Sequence, residues 1–400
     1  MVTLNRYNVT FIALLLLHLT CLLYLANDFS ISYKEALIYF EGLKPPLHII
    51  TNISTTIFGQ NDIALRLPFI VFYLLSSILL YLLTENYFKN ELDRVVSVAI
   101  FMLLPGVNSA ALLVNEAIIV VFCTLSYIYV YQKRKKECYL LLVLFLFIDN
   151  SFAILFLALF FKSLVKKDNY LLVLSLFLFG LSMSMYGFVI GGKPKGYFLD
   201  TFSIYATIFS PVLFLYFFYS IYRVGIKHEK DLFWYISATA LGLSLLFSLR
   251  QKIAIVDFAP FIVIAIPVMM KLFMHSVRVR LSEFRRIHYN FAILTLIVLG
   301  LNFLILISNK SLYMFLENPK KHFAYKHHVV KELSLKLKEN KINEIKTYDK
   351  KLQLRLQFYN IKDHSSRIMY SSKIDNAIYT IPIEYLGKNI DTYYIVNKIQ

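Results

Sequence analysis

Apolar residues fill most of the chain in long blocks, and short polar or basic stretches separate these blocks. Many blocks run for about 17–22 residues, the length at which a helix spans the hydrocarbon core of a bilayer. We therefore predict an all-α polytopic membrane protein with about eleven transmembrane helices. They cover roughly residues 9–26, 66–87, 95–112, 115–131, 138–149, 152–165, 169–190, 202–223, 232–249, 253–273 and 288–307.

The first long polar stretch, residues 27–65, contains two amphipathic segments. The pattern from Tyr33 to Phe40 predicts a short helix, which Lys44-Pro45-Pro46 interrupts. A second helix is predicted from Leu47 to Phe58, and Gly59 ends it. Helices of this kind lie along a membrane surface, and they can cover a cavity that is open to lipid and water.

The last part of the chain has a different composition, since it is polar and rich in lysine. Apolar residues at helical spacing predict a helix within His322–Glu339, and short runs at 378–381 and 393–396 predict strands. We therefore predict a transmembrane domain over residues 1–308 and a small soluble α/β domain over residues 309–400.

Composition supports the membrane assignment. Hydrophobic residues make up 58% of the chain and charged residues only 17%, against about 45–50% and 25% in soluble domains. This composition excludes a chain that forms a single soluble globular domain, and it also excludes a disordered chain. The three cysteines lie in or beside apolar segments, so we interpret them as packing residues.

The net charge of +17 is better explained by membrane topology than by nucleic acid. With a cytoplasmic N-terminus, about eighteen basic residues fall in cytoplasmic loops and about seven on the other side. An odd number of spans then places loop 27–65 and residues 309–400 outside. We predict a multi-pass protein of the inner (plasma) membrane, with Arg66 at headgroup level where the second span begins.

An ordered series of short motifs resembles a family of membrane enzymes. It comprises Glu35-Ala36 with Tyr39, then Lys44-Pro45-Pro46-Leu47, Ile57-Phe58-Gly59, Ala64-Leu65-Arg66-Leu67-Pro68 and Leu113-Val114-Asn115-Glu116-Ala117. It resembles glycosyltransferases of the protein-mannosyltransferase and aminoarabinose-transferase type, which are glycosyltransferase family 39-like. The resemblance implies a GT-C fold, a polyprenyl-phosphate sugar donor, and a glycan, lipid or protein acceptor on the outer face.

The resemblance also suggests candidate site residues. The family usually has an Asp-Glu pair in the first external loop, whereas this chain has Lys34-Glu35. Removing the proton of an acceptor hydroxyl needs a base such as a carboxylate. We therefore consider Glu35 and, six residues before Lys34, Asp28 as catalytic candidates. Glu116 matches the family's acidic residue at the outer start of the fourth span, and Lys34 stands where the family has its Asp. We therefore predict that Glu116 and Lys34 line the substrate cavity.

Basic residues in two predicted outer loops are candidates for binding the donor phosphate. They are Lys193, Lys195, Arg250 and Lys252. Basic residues are otherwise scarce on this predicted outer side, so their presence there needs a reason. Phosphate binding is such a reason, because Arg and Lys side chains bind phosphate well. The alternative is contact with lipid headgroups.

The histidines show no spacing typical of a metal site, so we assign no cofactor and leave a divalent metal open. We predict a membrane glycosyltransferase that contacts membrane lipids and binds no nucleic acid. Two alternatives stay open: a catalytically inactive GT-C-like subunit that binds lipid or a partner, and a transporter or flippase. The identities of the sugar and the acceptor stay undetermined.

Overall fold

A computed structural model describes residues 5–187, 190–191, 195–364 and 367–397. The chain forms two units. The first contains the chain up to Leu19, Phe69–Ala111 and Asn115–Phe303. The second contains Thr20–Pro68, Leu112–Val114 and the chain from Leu304 onward. The loop 27–65 and the C-terminal region therefore belong to one unit.

Helices account for most of the described chain. In order they are α1 (Arg6–Asp28), α2 (Tyr33–Glu41), α3 (Pro45–Phe58), α4 (Asp62–Leu83), α5 (Glu91–Leu103), α6 (Pro105–Leu112), α7 (Ala117–Arg134), α8 (Tyr139–Phe145), α9 (Phe152–Lys166), α10 (Asn169–Met185), α11 (Phe198–Phe209), α12 (Pro211–Lys227), α13 (Leu232–Ser248), α14 (Ile255–Val263), α15 (Ile266–Val279), α16 (Ser282–Ile307), α17 (Val330–Glu339) and α18 (Lys350–Phe358). The strands are β1 (Ile190–Gly191), β2 (Lys252–Ile253), β3 (Lys346–Thr347), β4 (Arg367–Tyr370), β5 (Tyr379–Tyr385) and β6 (Lys388–Asn397).

The predicted apolar blocks form helices, but the count of eleven spans is not confirmed. Among the described residues, α1, α4 and α16 are long and apolar enough to cross a membrane. The number rises to six if each of three bent pairs forms one span: α5 with α6, α11 with α12, and α14 with α15. Helix α8 has only 7 residues, which corresponds to about 10 Å of helix.

Proline accounts for the positions of these bends. Pro105 and Pro211 each begin the second helix of a pair, and Pro267 lies at the start of α15. Proline has no backbone N–H and suits the first turn of a helix, so it permits a new helix to start where the previous one ends. The bends are 58°, 107° and 41°. A hydropathy profile does not distinguish such a broken span from a straight one.

The two helices predicted in loop 27–65 are confirmed as α2 and α3. Ser32 caps α2, because its side chain accepts the N–H of Glu35 while the Glu35 carboxylate accepts the N–H of Ser32. Such a capping box satisfies two donors that the helix leaves unpaired. Gly42 ends α2 at a φ of 65°, a left-handed conformation in which glycine is favoured. Pro45 then begins α3.

The C-terminal region combines helices with a small sheet, as the sequence predicts. The sheet order is β3-β4-β6-β5, in which β3 is parallel to β4 and the other neighbours are antiparallel. Its core includes Leu333 and Leu337 of α17, Leu356 of α18, and Ile383 and Ile395 of the sheet. Helix α17 starts at Val330, later than the predicted His322, because short 3₁₀ turns occupy the preceding segment.

Candidate functional site

A cluster of charged side chains is buried in the second unit. Arg66 Nη2 lies 3.2 Å from Glu35 Oε2, and Arg66 Nη1 lies 3.7 Å from Asp62 Oδ1. Lys331 of α17 reaches Asp62 Oδ2 at 3.1 Å. His327 Nδ1 lies 3.5 Å from Glu35 Oε2. The cluster therefore joins α2 and the start of α4 to the C-terminal region.

Arg66 is the centre of this cluster, and its side chain has no exposed surface. Its guanidinium also donates to backbone carbonyls: Nε to Leu112 at 2.9 Å, Nη1 to Phe29 at 2.8 Å, and Nη2 to Ser30 at 3.1 Å. Arg66 is therefore buried inside the protein, and its depth at headgroup level stays a prediction. Carboxylates and carbonyls from distant parts of the chain surround the guanidinium and make its burial tolerable.

Both carboxylate oxygens of Glu35 have partners. Oε2 accepts the Ser32 N–H at 2.7 Å, and Oε1 accepts the Val114 N–H at 3.2 Å. Burial alone would raise the pKa of Glu35, but the charge of Arg66, with His327 and the Ser32 N–H, holds that pKa well below its usual range. Glu35 is thus a fixed anion that orients α2, and a proton acceptor of this kind is weak.

Asp28 occupies a more accessible position than Glu35. Lys310 Nζ lies 2.8 Å from Asp28 Oδ1 and 3.2 Å from Glu332 Oε1. The Asp28 side chain is 18% exposed, against 4% for Glu35. These residues line a cavity of about 230 Å³, together with His328 and Lys331. The wall of the cavity therefore contains two carboxylates and two ammonium groups, with the buried ring of His328 beside them.

His328 contributes a neutral imidazole to this cavity. The Tyr313 hydroxyl and His328 Nδ1 are 2.8 Å apart, and Nε2 is buried without a hydrogen-bond partner among residues 5–187, 190–191, 195–364 and 367–397. Burial first, and then the positive charges of neighbours such as Lys310, lower the pKa of His328 to about 3. Burial also lowers the pKa of His322, whose ring stacks on Tyr313.

Asp62 has charged and hydrogen-bonding partners from several segments. The sequence pattern does not mark it as a site residue. Besides Arg66 and Lys331, Asp62 accepts the Tyr359 hydroxyl at 2.7 Å. The same hydroxyl accepts the Ile31 N–H at 3.1 Å. The one signal in the sequence is the spacing of four residues between Asp62 and Arg66, which places both on one face of a helix. The other partners are about 300 residues away in the chain.

Lys34 and Glu116, the residues predicted to line a substrate cavity, lie in different units. Lys34 is exposed on α2, next to buried Glu35 in the second unit. Glu116 immediately precedes α7 in the first unit and is half-buried. Their roles stay predictions.

Three of the basic residues predicted for phosphate binding, Lys195, Arg250 and Lys252, belong to the first unit. Strands β1 and β2 are antiparallel, and Gly191 stands opposite Lys252. The Tyr197 N–H also donates to the Ser248 carbonyl at 2.7 Å. Lys195, Arg250 and Lys252 are all exposed. Lys193 lies outside the described residues.

The part of the chain that the structure describes contains no group of three or more His, Cys, Asp or Glu side chains that could hold a metal ion.

The chain matches a protein-family model, over a segment that includes Arg66. Residues 44–148 match the family described as dolichyl-phosphate-mannose-protein mannosyltransferase. Over this segment the predicted resemblance is confirmed. It covers about a quarter of the chain and includes Arg66 and Glu116, but it begins after Asp28 and Glu35 and ends before Arg250. No curated protein and no solved structure matches the chain.

Proposed function

We propose that the protein is a membrane glycosyltransferase that moves a sugar from a polyprenyl phosphate to an acceptor on the outer face of the inner membrane. The observation that carries this proposal is the match of residues 44–148 to a mannosyltransferase family, in a chain with three to six candidate membrane spans. The sugar and the acceptor are not specified by these observations.

The proposed reaction is a substitution at the anomeric carbon of the sugar. The acceptor hydroxyl oxygen forms the new bond to this carbon, the bond from the carbon to the phosphate oxygen breaks, and the polyprenyl phosphate leaves as an anion. A carboxylate takes the hydroxyl proton as the new bond forms. Among the two predicted candidates, accessibility favours Asp28 as this base, because Glu35 is committed to Arg66 and to two N–H donors.

The leaving phosphate needs positive charge near its oxygens. Lys195, Arg250 and Lys252 are proposed to supply it, and the pairing of β1 with β2 supports this proposal because it joins their two segments. Lys193 belongs to the same stretch of sequence but lies outside the described residues. Glu116 and Lys34 are proposed to contact the sugar or the acceptor.

A direct test is the transfer of a labelled sugar by the full-length protein reconstituted in liposomes. A panel of polyprenyl-phosphate sugars is offered with acceptors extracted from the cell envelope. We expect one donor to release free polyprenyl phosphate in a protein-dependent manner. Absence of release with every donor would contradict the proposal.

A second candidate function is supported by the surroundings of Lys34. The family's Asp is replaced by an exposed lysine, and the adjoining Glu35 is engaged in an ion pair. A protein of this kind would bind the lipid-linked sugar without turning it over, or would serve as a subunit of another enzyme. Saturable binding of a polyprenyl-phosphate sugar without release of polyprenyl phosphate would favour this second function.

A further inference from the structure

A second and larger cavity, of about 590 Å³, lies within the first unit. Five segments line it, mostly at the C-terminal ends of helices. They are residues 86–87 after α4, 131–135 at the end of α7, 162–166 at the end of α9, 224–235 between α12 and α13, and 268–275 in α15. This volume is within the range of about 300–1,000 Å³ that is typical of small-molecule sites. The resemblance to glycosyltransferases assigns no role to it.

The charges that line this cavity are mainly positive. Five lysines contribute, against two carboxylates: Lys135, Lys162, Lys166, Lys230 and Lys271, with Glu229 and Asp231. Lys166 lies in the last turn of α9 and Lys135 directly follows α7, and a positive charge at these places balances the helix dipole. The helix dipole explains why a lysine lies at the end of one helix. It does not explain why five lysines from different segments line the same cavity.

The five lysines outnumber the nearby carboxylates of Glu229, Asp231 and Glu137 by two. The Asp231 carboxylate accepts the Tyr87 hydroxyl at 2.5 Å and the Trp234 N–H at 2.8 Å. Glu137 lies 2.6 Å from Lys162 Nζ and neutralises that lysine. Lys271 packs over the Tyr87 ring at 4.4 Å.

The remaining four lysines have no ion pair in the described part of the chain. They are Lys135, Lys166, Lys230 and Lys271, and all four are exposed, so their ammonium groups are available to a ligand.

His228 also lies among these positive charges, beside a second histidine of the cavity. The rings of His228 and His275 are 6.3 Å apart. Burial, and then the charges of Arg223, His275, Lys227 and Lys271, lower the pKa of His228. A further cation is therefore unfavourable here, whereas an anion would be stabilised.

We propose that this cavity binds a molecule that carries a phosphate group. Lysine ammonium groups bind phosphate oxygens as strong, charge-assisted donors. The aromatic rings of Tyr87, Tyr131, Phe233 and Tyr235 also line the cavity and offer apolar contact to the rest of such a molecule. The phosphate has two potential sources: a phospholipid headgroup, which basic pockets between membrane helices bind, or a soluble phosphate ester.

The site is independent of the proposed transferase reaction. The charge asymmetry of the sequence assigns its lysines to the cytoplasmic side, whereas loop 27–65 is predicted on the other side.

The test measures binding of two probes to the purified full-length protein in a neutral detergent. One probe is dioctanoyl phosphatidic acid and the other is glycerol 3-phosphate. We compare wild type with the double variant Lys166→Gln and Lys230→Gln. Each charge-assisted hydrogen bond contributes about tenfold or more in affinity, so we expect the double variant to bind at least about tenfold more weakly. Binding should also weaken as salt is added.

A matched control removes two exposed lysines of the second unit, Lys320→Gln with Lys338→Gln. This control lowers the net charge by two, as the double variant does, and should bind both probes as wild type does. Tight binding of the lipid probe alone identifies a headgroup site, and binding of both probes at similar affinity identifies a site for the phosphate group itself. The proposal is overturned if neither probe binds, if the double variant binds normally, or if the control weakens binding equally.

Discussion

Glu35 and Arg66 form an ion pair from which solvent is almost entirely excluded. Arg66 Nη2 lies 3.2 Å from Glu35 Oε2. The Glu35 side chain is 4% exposed and the Arg66 side chain is 0% exposed. The carboxylate also caps α2, while the guanidinium holds carbonyls of residues that follow α1. The pair therefore determines how loop 27–65 leaves the end of α1 and reaches α4.

The first prediction concerns the stability of this arrangement. Arg66→Met leaves the carboxylates of Glu35 and Asp62 buried without their partner, and breaking a buried pair costs about 3–5 kcal/mol. Arg66→Lys should be harmful as well, because an ammonium cannot reproduce the planar donor array. We expect both variants to lower the thermal midpoint of the detergent-purified protein. Arg286→Met, at an exposed position, is the control and should leave the midpoint unchanged.

The second prediction separates a catalytic from a positioning carboxylate. Asp28→Asn removes the proposed base and should reduce sugar transfer by about 10²–10⁴-fold, with the thermal midpoint largely retained. Glu35→Gln should instead lower the midpoint, because it leaves Arg66 without its charge partner. Asp363→Asn, an exposed change of the same type, serves as the control. Full transfer by Asp28→Asn would exclude Asp28 as the base.

The third prediction concerns the donor phosphate. Arg250→Ala with Lys252→Ala should weaken use of the lipid-linked donor by roughly 10- to 150-fold, since a hydrogen bond to a charged group contributes about 1.5–3 kcal/mol. The loss should appear in KM for the donor, and folding should be unaffected because both side chains are exposed. A control with Lys89→Ala and Arg286→Ala removes the same charge from other exposed positions. Unchanged donor kinetics would remove both residues from the phosphate site.

The fourth prediction is a pH dependence of stability that arises from His328. Its pKa in the folded state is about 3, below its ordinary value of 6.5, so the unfolded chain takes up a proton first as the pH falls. The contribution of His328 to stability is complete above pH 6.5 and is lost progressively between 6.5 and about 3. Over this pH range, His328→Gln should reduce the slope of the free energy of unfolding against pH by about 1.4 kcal/mol per pH unit. His364→Gln, at an exposed position, should leave it unaltered, and an equal decline in His328→Gln would contradict the assignment.

The sequence predicts local structure well where the signals are local. Tyr33 to Phe40 and Leu47 to Phe58 form helices close to their predicted limits, because Ser32, Gly42 and Pro45 mark the ends. The strands at 378–381 and 393–396 fall mostly within β5 and β6, where alternation and turn residues are also local signals.

The candidate site is less predictable because its contacts join distant segments. Arg66 carries the same charge whether it faces headgroups or a buried Glu35, and only tertiary contacts distinguish these environments. The participation of Lys331 and Tyr359 has no local signature, since both act on Asp62 from far along the chain. Breaks at Pro105 and Pro211 likewise change the number of spans without altering the apolar composition.

The attachment of loop 27–65 to the C-terminal region also sets an order of events during synthesis. Ile31 donates to the Tyr359 hydroxyl and accepts from Arg355, residues that the ribosome adds more than three hundred positions later. Until then the loop lacks these partners, and Asp62 lacks Lys331 and Tyr359. This loop is made early but therefore acquires its final contacts among the last, after the intervening apolar helices have been made.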